Sequence, residues 1–504
     1  FFLAEFKREP QDARELAGSV ARLSRPQTTA VAGFDLTFSP VKSVSALWAL
    51  ADPALAAVIE QAHQKAMADA LRYIEDHALY TRLGRNGVRQ VDVKGLVGAA
   101  FTHRDSRASD PDVHTHVAVA NKVQTIDGRW RSIDGRIVFK ATVAASETYN
   151  TALERHLASD LGLVFQARPA PEGKRPVREV AGVDPRLLDR WSTRRKSIRL
   201  RASELAEDFQ RVHGRTPTAI EMTNLAEQAW QDTRQAKHAP RTLADQRAAW
   251  RRQAEAVLGG EGAVDAMVAL ALHPSGTRAP LPNHDWYRNT ARQIIATVEG
   301  ERAVWQYWHV HAEAKRRLRT TGLRPDQLEP AADWLTRTAL ELHAVAIEPR
   351  DVGIEEPEEL RRADGSSVYC VAGAKLFTSR RIVEAEQRIV AAAGRSDGRR
   401  VPVEVVDVAL LESVANGLTL NAGQSAMVRA MATSGARVQL GIAPAGSGKT
   451  TSMATLARAW RESGGTVVGL SPAAAAAAQL RSQIETHTDT LAKLVWSIEH
   501  HDLP

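Results

Sequence analysis

FTHRDSRASDPDVHTHVAV, residues 101–119, is the stretch from which the fold and the chemistry of this chain are read. Its tail continues as VHTHVAVANKV, where Val, Thr and Ala alternate around the histidines as in a strand. Side chains two apart on a strand share a face, so His114 and His116 point the same way. GLVGAAFTHR, just before, reads as a second strand, and the intervening SRASDPD is rich in turn formers. Paired as a hairpin, the two strands bring His103 beside the other two. Three neutral imidazoles on one sheet face make a divalent-metal site with open positions, for Mg²⁺, Mn²⁺ or Zn²⁺. The bland alternative is surface or satisfied sheet histidines. A lone His-x-His would not decide between them; the third His across a polar turn favours the metal.

Composition bounds what surrounds this stretch. A chain of 504 residues with 44% hydrophobic content suits about three domains. Lys and Arg number 66 against 59 Asp and Glu, a formal charge of +7, and the sequence pI is about 9.6. That balance favours a polyanionic partner, nucleic acid first, over a merely basic soluble protein. Cys370 is the single cysteine, which excludes an internal disulfide framework and fits a reducing cytosol. No apolar run reaches the ~20 residues of a membrane span, so no membrane insertion is expected. No signal peptide is visible at FFLAEFKREP. Both ends read as cut, with no initiator Met and a last residue inside a domain, so a fragment is expected.

Upstream of the histidines, residues 11–24 have helical spacing. TTAVAGFDLTFSPVKSVSALWAL (28–50) begins as a strand with Asp35 between Phe34 and Leu36. A carboxylate in an apolar strand is paired, protonated or chemically used; otherwise it sits at a sheet edge facing water. Pro40 ends the strand. Ser39, Lys42, Ser43 and Ser45 follow, and a helix N-terminus carrying Ser and Lys suits phosphate. Asp52 and Pro53 cap and open a long amphipathic helix to about His77. TRLGRNGVRQVDVKG (81–95) reads as a hairpin. Its Arg82, Arg85 and Arg89 are either nucleic-acid backbone contacts or a solvated basic loop. Beyond the histidine strands, ATVAASETYNTALERHLASDL (141–161) forms a helix. The first part is thus α+β, an antiparallel sheet with helices on one face.

GFDLTFSPVKSVS, HRDSRASDPDVHTHV and the Ala-rich helix with Tyr149 and Asn150 together resemble the MobF-type (TrwC/TraI-like) conjugative relaxases. The resemblance covers about residues 30–165. It implies a DNA strand transferase with a histidine triad on a five-stranded sheet and a helicase fused behind. It implies that His103, His114 and His116 are the metal ligands, and that Asp35 orients a histidine or accepts a proton. It brings single-stranded DNA at a transfer origin as partner, with relaxosome and coupling proteins, in the cytoplasm. One departure is plain. The family's nucleophilic tyrosines lie ahead of the aspartate motif, whereas Tyr73, Tyr80, Tyr149, Tyr287, Tyr307 and Tyr369 all follow Asp35. A fragment without those tyrosines is expected to bind DNA and not to nick it.

Residues 166–182 are Pro/Gly-rich and read as a loop or linker. From 185 to 258 the pattern is helical and charged, and Thr216-Pro217 is a helix start. Trp230 and Trp250 read as core contacts rather than base-stacking platforms. HPSGTRAPLPNH (273–284) is a linker, and residues 285–345 are helical again. His309 and His311 repeat the His-x-His spacing, but i and i+2 on a helix do not share a face, so they are rejected as a metal pair. An acidic junction at 347–366 leads into a short strand pair and a helix.

VQLGIAPAGSGKTTSMATLARAW (438–460) reads as strand, Gly-rich loop and helix. Backbone amides around Gly446, Ser447 and Gly448 would cradle phosphates at the helix N-terminus. Lys449 would reach the β/γ-phosphates and Thr450 would hold Mg²⁺, so ATP with Mg²⁺ is the expected ligand. Ala443 stands where the strict pattern has its first Gly. Gln424, upstream, resembles the adenine-reading Q motif of superfamily 1 helicases. GTVVGLSPAAAAAAQL resembles their next strand and helix, which touch single-stranded DNA. No Walker B acid pair follows before Pro504, so ATP binding with little turnover is expected.

These readings divide the chain into an N-terminally truncated relaxase domain at 1–270 and a helical connecting region with linkers at 271–365. The N-terminal part of a P-loop α/β helicase domain follows at 366–504. The expected function is a site- and strand-specific DNA transesterase fused to an ATP-dependent helicase. Its rivals are a metal-dependent nuclease using water, and a non-catalytic DNA-binding ATPase remnant with structural histidines.

Overall fold

The computed structural model describes residues 2, 6–12, 15–16, 31–170, 174–234, 241–274, 279–347, 356–444 and 446–501. The helix expected over 11–24 lies largely outside them. The first elements are β1 (Gly33–Phe38), α1 (Lys42–Leu50), α2 (Pro53–Ala78), β2 (Tyr80–Leu83), β3 (Arg89–Lys94), β4 (Gly98–Asp105), β5 (Pro111–Ala120), β6 (Val123–Thr125), β7 (Trp130–Arg131) and α3 (Gly135–Leu161). β5 is the middle of an antiparallel sheet ordered β1-β5-β4. Thr37 lies opposite His116, and His103 opposite His114. Val113, Thr115, Val117 and Val119 are buried beneath the sheet while the histidines take the other face, the period of two that the sequence shows. The five-stranded sheet implied by the resemblance is three-stranded among the described residues. β3 and β4 are separated by Gly95, Leu96 and Val97, which carry no ladder, and β3 joins a second sheet ordered β2-β3-β6-β7.

α1 is buried from Ser43 to Leu50, as a helix apolar all round must be. α2 starts as its sequence dictates: Asp52 accepts the Leu55 N–H at 2.9 Å, with Pro53 in the first turn. It packs along α3, and its buried face is largely alanine (Ala56, Ala62, Ala66, Ala70), which lets helices approach closely. The stretch expected as a linker after α3 is a hairpin instead, β8 (Phe165–Ala167) with β9 (Arg178–Val180). It is fastened to α1, because Val180 is buried and its N–H donates to Ser43 Oγ at 2.8 Å.

α4 (Pro185–Arg190), α5 (Thr193–His213), α6 (Ala219–Asp232), α7 (Leu243–Leu258) and α8 (Glu261–Leu272) follow. α7 and α8 return to the first core. Trp250 meets Trp48 with ring centroids 5.7 Å apart, and the core runs on to Ala271. α9 (His284–Glu301), α10 (Tyr307–Leu318) and α11 (Pro325–His343) share a second core around Ile294, Val310 and Leu335. β10 (Val345–Ile347) pairs with β11 (Leu376–Thr378).

The segment before β11 docks on β3: Gln90 N–H donates to the Val368 carbonyl at 2.7 Å, and Arg362 donates to Gln90 Oε1 at 3.2 Å. Residues 366–378, expected to open the last domain, therefore pack on the parts before them. The last part comprises α12 (Arg380–Ala393), α13 (Val403–Ala415), α14 (Ala422–Thr433), α15 (Lys449–Glu462), β12 (Val468–Ser471), α16 (Ala474–Ile484), β13 (His487–Thr490) and α17 (Leu491–Glu499). Its core gathers Val401, Val406, Val428 and Ala459. β12 and β13 are parallel, as an α/β unit requires. The strand expected at 438–442 carries no ladder, since β12 pairs with β13 alone. Among the described residues no helix is long and apolar enough to cross a membrane.

Candidate functional site

The hairpin register sets the triad. The ring centroids of His103, His114 and His116 lie 5.2–5.5 Å from one another. His114 Nδ1 donates to the Asp112 carbonyl at 2.8 Å. A carbonyl only accepts, so the proton sits on Nδ1 and the Nε2 lone pair is left for a cation. His116 Nδ1 meets both Asp35 oxygens at 2.9 Å and Thr37 Oγ1 at 3.1 Å, which fixes the same tautomer. The Asp35 side chain is 61% exposed, so its pairing carries no burial cost. The donor chemistry fits a divalent cation. Its spacing is open: nitrogens on one metal sit about 3.4 Å apart at ordinary bond lengths. Among the described residues, the one group of three donors all within 4.8 Å lies elsewhere, at His77, Glu329 and Asp333.

Beneath the sheet, Thr115 Oγ1 bonds His63 Nε2 at 2.8 Å, and His63 Nδ1 meets the Tyr149 hydroxyl at 2.7 Å. Burial pushes the His63 pKa down to about 4, with a smaller contribution from His114, and pushes Tyr149 up. Tyr149 is thus a core residue on the face opposite the triad.

A cavity of about 580 Å³ opens over the histidines, and its far wall comes from α5 and α6. There the guanidinium carbons of Arg194 and Arg234 each lie 5.4 Å from the Trp230 ring. Trp230 is 42% exposed, which corrects the core reading; Trp250 is 1% exposed and is core. Helical spacing places both on apolar stripes and cannot say which stripe faces a cavity. The hairpin tip positions this wall. Asp110 accepts the Thr193 N–H and hydroxyl at 3.0 Å each, tying the tip to the first turn of α5. Burial raises the Asp110 pKa, and these bonds oppose it. Arg107 also lines the cavity. The sequence reading missed Arg107, Arg194 and Arg234; the basic run Arg194-Arg195-Lys196 was their one local signal.

Two other expectations are corrected. Ser43 and Ser45 are buried, and their hydroxyls accept the Val180 and Val113 N–H groups at 2.8 and 3.2 Å. Lys42 donates to the Pro111 carbonyl at 3.1 Å. This helix start is spent on packing and is not a phosphate site. Arg82 is likewise spent, on Asp134 at 2.6 Å and the Gly87 carbonyl at 3.2 Å.

The Gly-rich loop forms a second centre. Gly446 and Gly448 have φ of 76° and 75°, a conformation that favours glycine, and α15 begins at Lys449. Lys449 Nζ donates to the Ala443 and Pro444 carbonyls at 2.8 and 2.7 Å. Gln424 accepts the Asn421 N–H and donates to the Ser447 carbonyl, both at 2.8 Å. It therefore holds the loop here, and reading adenine would require its release. Thr450 stands in the first turn of α15. A cavity of about 560 Å³ borders Gln424, Ser447 and Lys449. An ammonium and a helix N-terminus beside this loop fit a phosphate group.

A family model described as TrwC relaxase matches residues 6–257. The chain belongs to the TrwC relaxase family. A second model, an AAA domain, matches residues 419–503. The multifunctional conjugation protein TraI of Escherichia coli is 27% identical over 417 residues, 74% of this chain and 22% of that protein. Its namesake in strain K12 is 31% identical over 172 residues, 33% of this chain and 9% of that protein. This TrwC-family chain thus spans at most 22% of the length of the curated relatives it matches. Among solved structures, a metal-bound conjugative relaxase TrwC in complex with oriT DNA is 28% identical. It covers 47% of this chain and 76% of its own, with a TM-score of 0.38. TrwC complexed with a 27-mer DNA comprising the recognition hairpin and the cleavage site is 24% identical, covering 51% and 90%, with a TM-score of 0.37.

Proposed function

We propose that this chain is the DNA-processing part of a conjugative relaxase, joined to part of an ATP-driven helicase. The observation that carries the reading is the triad face: three imidazoles with two Nδ1 groups held by acceptors, beneath a wall of Arg194, Trp230 and Arg234. His103, His114 and His116 would hold a divalent ion, Mg²⁺, Mn²⁺ or Zn²⁺, which when bound polarises a scissile phosphate. Asp35 keeps His116 in the tautomer that presents Nε2. Trp230 offers a ring for a base of single-stranded DNA, and the flanking arginines offer charge to its backbone. Family membership supports a plasmid transfer origin as the DNA, in the cytoplasm, with relaxosome and coupling proteins around it. The relaxase unit is read as residues 1–270, followed by the connecting region, and the motor unit opens after Thr378. There Gly446, Ser447, Gly448, Lys449 and Thr450 would hold ATP with Mg²⁺.

A nuclease using water is the second reading, favoured by one observation: among the described residues no tyrosine lines the triad cavity. The complete gene product, given an origin oligonucleotide and Mn²⁺, decides. A denaturation-resistant protein–DNA adduct with a free 3′-OH is expected. Cleavage releasing a free 5′-phosphate and no adduct would give the site to hydrolysis.

A further inference from the structure

A second cluster of donors lies far from the triad, where the connecting helices meet the first unit. His77 stands in the last turn of α2, and Glu329 and Asp333 stand one turn apart on α11, a spacing that puts both on one face. Their ligand atoms all lie within 4.8 Å of one another. His311 of α10 closes the cluster from below. It has no exposed surface, its Nε2 is 3.4 Å from Glu329 Oε1, and its Nδ1 is 3.8 Å from Asp333 Oδ1. His311 Nε2 and Glu329 Oε1 face each other and have no other partner, although both are buried. Tyr73, 2% exposed, packs its ring 4.7 Å from His77 and 5.1 Å from His311, and its hydroxyl is also buried without a partner. A buried hydroxyl without a partner, beside a histidine nitrogen and a carboxylate oxygen that have only each other, is costly unless something satisfies it.

Charge bookkeeping points to a cation. Lys315 pairs with Glu329, and Tyr307 donates to Asp333 Oδ1 at 2.9 Å. One ammonium thus faces two carboxylates. A cavity of about 560 Å³ bordered by Tyr73, His77 and Glu329 gives an ion a way in.

We propose that His77, Glu329 and Asp333, with His311 behind them, form a second divalent-metal site that fastens the connecting helices to the relaxase unit. Mixed imidazole and carboxylate donors select a first-row transition ion of the Zn²⁺ kind over Mg²⁺ or Ca²⁺. The role is structural: α2 supplies one ligand and α11 the other two, with His311 of α10 behind them, and the ion joins helices more than two hundred residues apart in sequence.

The test uses the tag-free chain carrying His103→Ala, His114→Ala and His116→Ala, stripped with a chelator and titrated with Zn²⁺ and, separately, with Co²⁺. One ion per chain is expected, with visible Co²⁺ absorption and a raised melting temperature. In this background His77→Gln and Asp333→Asn should each weaken Zn²⁺ by more than about a hundredfold, beyond what loss of a mere outer partner costs. Co²⁺ binding is read on the unsubstituted cluster, so a misfolded variant does not leave the question open. Absence of a bound ion there overturns the proposal, as does undiminished affinity in folded His77→Gln and Asp333→Asn.

Discussion

The triad and the helix cluster both offer imidazole donors, the cluster adding two carboxylates, and they are built in opposite ways. His103, His114 and His116 sit within fourteen residues on one hairpin, half open to solvent, with their tautomers set by Asp35 and the Asp112 carbonyl. His77, His311, Glu329 and Asp333 come from three helices and pack against Tyr73, Tyr307 and Lys315, with His311 alone fully buried. A site on one hairpin inherits its geometry from strand register. A site between helices exists only once the tertiary packing does. The first suits a substrate that comes and goes, and the second suits an ion that stays.

The sharpest way to break this contrast is to cripple the triad and leave the cluster. With Asp333→Asn as background, His114→Ala should abolish triad metal binding, while Asp35→Asn should cost about 10–100-fold, the range for an outer partner. Equal losses from both would mean that Asp35 is itself a ligand, and would undo the division of labour argued for the hairpin.

The underside of β5 supplies the next test. His63 is buried and its folded pKa is down to about 4, below the unfolded value of 6.5. Its stabilising contribution is therefore whole above pH 6.5 and falls as the unfolded chain takes up protons on the way to pH 4. The full loss is about 3 kcal/mol. Urea midpoints measured across that window should drop, and His63→Gln should flatten the part due to this group; an unchanged slope would place the titration elsewhere.

Lys449→Ala should weaken ATP binding by roughly ten- to a hundredfold, the worth of one charge-assisted hydrogen bond, read with a fluorescent nucleotide. Unaltered affinity would mean that the lysine stays on the Ala443 and Pro444 carbonyls when nucleotide binds. The smallest effect is expected at the cavity wall. Trp230→Ala should cost about 1–3 kcal/mol in single-stranded DNA binding with no change in salt slope. Arg194→Gln should lower that slope by about one. If Trp230→Ala has no effect on DNA, the exposed ring is packing after all.

Legibility followed the same division. The histidine hairpin, the β1 strand with Asp35 and the Asp52-Pro53 helix start were readable, because each is set by residues a few positions apart. Trp230 was misread because an apolar stripe does not declare what covers it. Ser43 and Ser45 looked like phosphate ligands until Val180 and Val113 took their hydroxyls. Gln424 is legible as a motif, but its bond to the Ser447 carbonyl depends on how α14 meets the loop. His309, set aside with His311 as a metal pair, accepts the Gln306 N–H on its Nδ1 at 3.0 Å, while His311 lies against Glu329. Nothing local could have paired it with Glu329.

The docked segment ahead of β11 bears on how a pull would travel. Trp308 is wedged among Tyr73, Ile137 and Ala372, and a Cβ on Gly373 would strike its ring. Gln90 and Arg362 bolt the same segment to β3. A load applied beyond Thr378 therefore meets a bracket and not a swivel. Tension drawn from beyond Thr378 would pass through this joint into α2 and β3, and would reach the histidine sheet from β3 along Gly95, Leu96 and Val97.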